Sequence, residues 1–203
     1  MEQKLKISKK TAYALGLASA AATVIMAAAV VYYGEHVRAL EGYGYLGAFI
    51  ISILGGATII IPVPMLAVVF ALGGVMKYTW LVGLSASAGE TIGALTIYMT
   101  GHGAGAAFYH KAINNNGKPG KLQAIYERLM RLMERRGPLT LFILASVINP
   151  FFYPAAFTAG AMRLGLRKYI FICFAGKTIK AMTVVYAGYW GLKGLFQTLG
   201  INL

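Results

Sequence analysis

Two long apolar stretches of this chain are each broken by prolines. Pro62-Val63-Pro64 interrupts the first, and Gly74-Val75-Met76-Lys77 begins ten residues after Pro64. Pro150-Phe151-Phe152-Tyr153-Pro154 interrupts the second, and Gly160-Ala161-Met162-Arg163 begins ten residues after Pro150. Proline removes a backbone donor and clashes with the preceding turn, so it ends or bends a helix. At membrane depth such a break is tolerated only where protein or a watery cavity covers the freed backbone. Paired breaks at matching places in two halves point to a transporter binding site.

Composition places these stretches in a bilayer. Of 203 residues, 58% are hydrophobic and 12% charged, where a soluble domain has about 25% charged. The net charge of +13 does not indicate nucleic acid. The basic residues cluster in short loops beside apolar runs, where they set topology and meet anionic lipid. No basic soluble module is present to bind a polynucleotide. Cys173 is the sole cysteine, which excludes an internal disulfide and a thiolate metal cluster. No cofactor or metal is implied. Neither H-E-x-x-H, G-x-S-x-G nor a Walker loop occurs, and there is no Asp, so the chain does not read as an enzyme.

Length sorts the apolar runs, since about 20 residues cross the hydrocarbon core. Residues 11–33 form one span, retained as an anchor because they exceed a signal h-region of about 7–15 residues. Residues 45–76 and 138–164 are broken and too short to cross twice, and read as re-entrant helical hairpins. Residues 79–101 and 168–191 read as full spans. Between the halves, 119–136 carries Leu122, Ile125, Tyr126, Leu129, Met130 and Met133 at helical spacing, with basic residues mostly on the other face. A basic amphipathic helix of this kind lies in the lipid interface. The expected fold is an all-α membrane protein, a single integral membrane domain over 1–203. It is an inverted repeat of re-entrant hairpin plus transmembrane helix, with an extra N-terminal span and a cytoplasmic amphipathic helix.

The basic residues orient it. Lys4, Lys6, Lys9 and Lys10, seven residues from Lys111 to Arg136, and Arg163, Arg167 and Lys168 fall on one side; Arg38, Lys77 and Lys193 fall on the other. That bias makes the N-terminus cytoplasmic and puts the C-terminus outside. The pattern fits a multi-pass protein of a plasma membrane.

Glu90 lies near the middle of 79–101, whereas every other Glu falls in a flank or loop. A charge at the bilayer centre costs about 2.5–3.5 kcal/mol on insertion scales, so it faces a cavity, finds a partner or is protonated. Lys177 and Lys180 share a helix face at i and i+3 and are its natural partners. With one residue of slip from the hairpin register, Gly89 matches Gly176, Glu90 matches Lys177 and Gly101 matches Gly188. Glu90 then binds a proton or a headgroup, or forms a fixed ion pair that holds two helices together. One carboxylate and two ammoniums leave one positive charge, which suits an anionic group such as phosphate. The tips around Pro62, Pro64, Pro150 and Pro154 would present half-helix N-termini to such a group. Asn149 coordinates substrate or caps the break. The aromatic run Phe151, Phe152, Tyr153 reads as packing. Gly89-x-x-x-Gly93, with Gly101, Gly160 and Gly176, reads as close helix packing.

Ile61-Pro62-Val63-Pro64 with Gly73-Gly74, then Gly89-x-x-x-Gly93-x-x-x-x-Tyr98-x-x-Gly101-His102, then Asn149-Pro150 to Ala159-Gly160 and Gly176 resemble the DedA family, also called the SNARE-associated or VTT-domain superfamily. The resemblance runs over about 44–191. It implies a transporter, lipid flippase or scramblase with two opposed re-entrant hairpins; bacterial members are linked to undecaprenyl phosphate recycling, membrane homeostasis and proton-motive force. This chain departs from the family at His102, where arginine is usual. It also lacks both arginines of the Phe-x-Arg-Phe-x-Pro-x-x-Arg segment at 145–153, and an acidic residue before the first tip. Three readings follow. The first is a translocator of lipids, anionic or phosphate-bearing. The second is a proton-coupled secondary transporter of a small solute or ion. The third is a structural membrane protein. Homo-oligomerisation is left open.

Overall fold

In a computed structural model of the protein the described residues are 41–57, 65–113 and 121–198, with Ala21 and Ile25. The span expected at 11–33 lies, apart from those two helical residues, outside them, as do Pro62 and Pro64. Among the described residues there are helices and no strand: α1 (Glu41–Ala57), α2 (Met65–Val75), α3 (Thr79–Ile113), α4 (Lys121–Ser146), α5 (Phe152–Ala161) and α6 (Leu166–Thr198).

Each local sequence accounts for its element. The 11-residue α2 is apolar on every side and correspondingly buried. α4 is bent, because Pro138 cannot donate to the preceding turn and the chain leaves helical geometry at Arg136. The Thr140 hydroxyl donates to the Leu132 carbonyl across the bend at 3.3 Å and ties its two halves. The basic helix expected at 119–136 therefore runs through the bend into what was read as the second hairpin. Arg128, Arg131, Arg135 and Arg136 are exposed, and Met133 is buried. α5 begins at Phe152, before Pro154. Pro154 sits in the first turn, where its missing N–H is not needed. α5 ends in a Schellman arrangement, with Leu164 N–H on the Ala159 carbonyl and Arg163 N–H on that of Gly160, both at 2.9 Å. Arg163 takes the left-handed position at φ 55°, which glycine usually fills.

The long helices α3 and α6 cross antiparallel: Tyr169 meets Ala94, Lys177 meets Glu90, and Met182 meets Gly83. Each short helix packs on the long helix of the other half. α2 sets Gly73 on the Val185 carbonyl while Gly188 sits on that of Phe70. α5 sets Gly160 on the Tyr98 carbonyl while Gly101 sits on that of Phe157. These two contact sets are one pattern displaced by 87 residues, the separation of Glu90 from Lys177. The proline motifs suggested pairing Gly74 with Gly160, whereas the glycine contacts pair Gly73 with Gly160. Gly73 and Gly160 are separated by the same 87 residues as Glu90 and Lys177.

The two cores repeat the interval. One cluster contains Val69, Leu72, Val82, Ala86, Ala181 and Val184. The other contains Ala156, Ala159, Tyr169, Cys173, Ala94 and Ile97. Every member of the first except Ala48 and Met76 has a counterpart 87 residues away in the second.

One helix among the described residues, Leu166–Leu192 within α6, is long and apolar enough to cross a membrane; Tyr43–Ala57 and Met65–Val75 are apolar but shorter. α3 has the length but carries many Gly, Ser and Thr residues, and it continues beyond the 79–101 expected.

Candidate functional site

Glu90 sits where α3 crosses α6. Its Oε1 accepts from Lys177 Nζ at 2.7 Å and from Lys180 Nζ at 2.5 Å. The helical i, i+3 spacing brings both ammoniums to one carboxylate oxygen. The glutamate side chain is 5% exposed, Lys177 0% and Lys180 13%. The two lysines are not equivalent. Lys177 Nζ lies over the Phe152 ring, 3.9 Å from its centroid, a desolvated cation–π contact. Glu90 Oε2 is buried and meets no hydrogen-bond donor among the described residues. Burying charges is costly, and attraction repays it only when geometry and further hydrogen bonds are good. Among the described residues, therefore, this cluster is not fully satisfied. Beside it, Thr178 Oγ1 donates to Ser87 Oγ at 3.1 Å.

A cavity of about 320 Å³ adjoins this cluster. Glu90 and Lys180 form its charged wall. Gly55 comes from the end of α1, Met65 and Leu66 from the start of α2, and Val147 to Pro150 with Phe152 and Tyr153 from the break between α4 and α5. Gly56 positions this wall, because it lies directly on the Glu90 backbone, where a Cβ would collide. The Tyr153 hydroxyl donates to the Gly55 carbonyl at 2.9 Å and links α5 to the end of α1.

Of the residues expected at a site, Glu90, Lys180, Asn149 and Pro150 line this cavity. Lys177 stands behind Glu90, outside the lining. Asn149 spends its polar atoms on the break. Its Nδ2 donates to the carbonyls of Leu144 (2.7 Å) and Val147 (2.8 Å), and its Oδ1 accepts from Phe151 N–H (2.9 Å). That is a cap, favouring the second of its two expected roles. Pro154 is inside α5 and Pro62 and Pro64 are outside the described residues. Gly89, Gly93, Gly101, Gly160 and Gly176 each lie where an added Cβ would strike a neighbouring helix. Phe152 and Tyr153, read from sequence as packing, both touch the site. The phenol of Tyr153 beside a helix break was the available signal, since a buried hydroxyl needs a partner. Among the described residues no cluster of His, Cys, Asp or Glu could hold a metal.

The class is thus a protein that is all-helical over its described residues, with a buried glutamate and two lysines at a helix crossing beside a cavity lined from α1, α2 and the segment joining α4 to α5. The VTT-domain family model matches residues 60–190. The chain belongs to that family, the DedA or SNARE-associated proteins, and is with them a membrane protein. No curated protein and no solved structure matches it.

Proposed function

We propose that this protein is a lipid or lipid-phosphate translocator, a flippase or scramblase, built on an inverted repeat. The α1–α2 and α4–α5 pairs are re-entrant hairpins that enter from opposite sides, and α3 and α6 cross the membrane. The constant 87-residue interval in core and helix contacts supports the repeat, and the antiparallel crossing supports its inversion. The basic residues support a cytoplasmic N-terminus, an outer C-terminus and several passes through a plasma membrane.

The observation that carries the reading is the charged wall of the cavity. Glu90 and Lys180 face a space lined by the ends of α1 and α2 and by the break between α4 and α5, where a polar headgroup can leave hydrocarbon without losing all its partners. The test is headgroup translocation in liposomes containing the purified protein, with fluorescent phospholipids and a short-chain polyprenyl phosphate. Protein-dependent flipping is expected, and Glu90→Gln abolishes it, because the two ammoniums then retain an anion with no carboxylate to displace it. Absence of flipping for every lipid would end this reading. Glu90 Oε2, which meets no donor among the described residues, favours a second one, a proton-coupled solute transporter; its sign is flux that follows a pH gradient and vanishes in Glu90→Gln.

A further inference from the structure

We propose that Lys180 binds a phosphate-bearing headgroup by exchanging its bond to Glu90 for one to the ligand, while Lys177 stays with Glu90 as a permanent counter-ion. This rests on the translocator reading and assigns unequal work to two lysines that look alike in sequence.

Three observations separate them. Lys180 lines the cavity, whereas Lys177 does not. Lys177 is fully buried under the Phe152 ring, so it has nowhere to turn. Both donate to the same oxygen of Glu90, and the other oxygen has no donor among the described residues. When Lys180 leaves Oε1, the carboxylate keeps one ammonium and stays neutralised. An incoming monoanion then balances the second ammonium, and the site closes with no net charge. Competition of two acceptors for one donor makes occupancy reversible, since neither state leaves Lys180 unpaired.

The remaining walls define the ligand. Met65, Leu66 and Leu144 line the cavity with side chains that offer an oxyanion nothing, and Val147 and Ile148 at its rim are 56% and 62% exposed. A headgroup carrying an apolar tail covers this rim; a free phosphate leaves it bare. At about 320 Å³ the cavity is near the lower end for ligand pockets and suits a headgroup with its chains lying outside.

Calorimetric titration of the full chain in detergent tests this, with dihexanoyl phosphatidic acid, dihexanoyl phosphatidylcholine and inorganic phosphate as probes. Phosphatidic acid is expected to bind, with the other two weaker. Lys180→Gln weakens phosphatidic acid by about tenfold or more, the range for a hydrogen bond to a charged group, and Lys180→Arg retains it. Glu90→Gln tightens binding, because the competing acceptor has lost its charge. Unchanged binding in Lys180→Gln, or weaker binding in Glu90→Gln, overturns the exchange. The second arm needs no substitution at Lys180, so it decides the matter even if that variant fails to fold. Inorganic phosphate binding as tightly as the lipid overturns the tailed-ligand assignment. Failure of lipid translocation with these binding results intact removes the translocator reading and leaves the exchange standing. Translocation with Lys180→Gln binding unchanged does the reverse.

Discussion

Lys177 and Lys180 hold the same carboxylate oxygen, yet they differ in what their removal leaves behind. Lys177→Met takes away the fully buried partner, and Glu90 retains only the lysine at the cavity wall. Breaking a buried pair this way costs about 3–5 kcal/mol, and the remaining lysine places this case at the lower end. Thermal unfolding in detergent should show a clear loss, larger than that of Lys180→Gln. Equal losses for Lys177→Met and Lys180→Gln would contradict the division of roles. Glu90 and its two lysines were legible in sequence, because ionisable groups inside apolar runs stand out against their background. The role of Asn149 was not, since a cap and a ligand use the same amide and differ only in where it points. Tyr153 was missed for a related reason: its ring packs as expected, and only the distant Gly55 carbonyl reveals the hydroxyl's use.

Among elements, helices lie close where glycine lets one backbone meet another, as small residues do in membrane helix packing. Gly101 and Gly188 each abut a carbonyl of a short helix, whereas Gly103 and Gly194 have open space around the missing Cβ. Gly101→Ala and Gly188→Ala should each destabilise by about 1–3 kcal/mol, the usual cost of forcing atoms into a packed contact. Gly103→Ala and Gly194→Ala should be neutral or slightly stabilising, because alanine is the better helix former by about 1 kcal/mol. Similar losses at all four positions would mean that the contacts do not matter. The interruption at 147–151, between α4 and α5, was legible from proline chemistry. Its far edge was not, because Pro154 is as compatible with a first helical turn as with a break, and only the chain before it decides. The bend in α4 likewise joined two segments that sequence had separated, since a proline bends some helices and ends others.

For the whole molecule, opposed orientation of the two halves is the proposition that a topology measurement can settle. Cys173 is buried, so the natural background is silent to an impermeant maleimide, and single cysteines can be added. Lys77→Cys, just before α3, should label from outside intact cells. Arg163→Cys, just before α6, should label only after the cytoplasmic face is opened. Labelling of both from one side would exclude the inverted arrangement. The 87-residue interval was partly visible in sequence through Gly89, Glu90 and Gly101, each paired in the alignment with a residue of the last span. The same interval at the short helices was not, because the second glycine of Gly73-Gly74 aligned just as well with Gly160. Which apolar faces met was also beyond reach: Val82 and Tyr169 occupy matching core positions with no resemblance as side chains.

Glu90 and Lys177 are 87 residues apart and bonded to each other, so under the proposed symmetry they are one position meeting its own equivalent on the pseudo-two-fold axis. In a homodimer of identical halves, that position would confront a copy of itself, carboxylate against carboxylate or ammonium against ammonium. Like charges at such a distance repel, and burial makes the repulsion stronger. An ion pair at this point requires two halves with separate sequences, as they have in one continuous chain. Duplication and fusion of a half-length ancestor would have freed the axial residue to become acidic in one copy and basic in the other. The salt bridge at the centre of this protein is therefore a contact that no symmetric forerunner could have made.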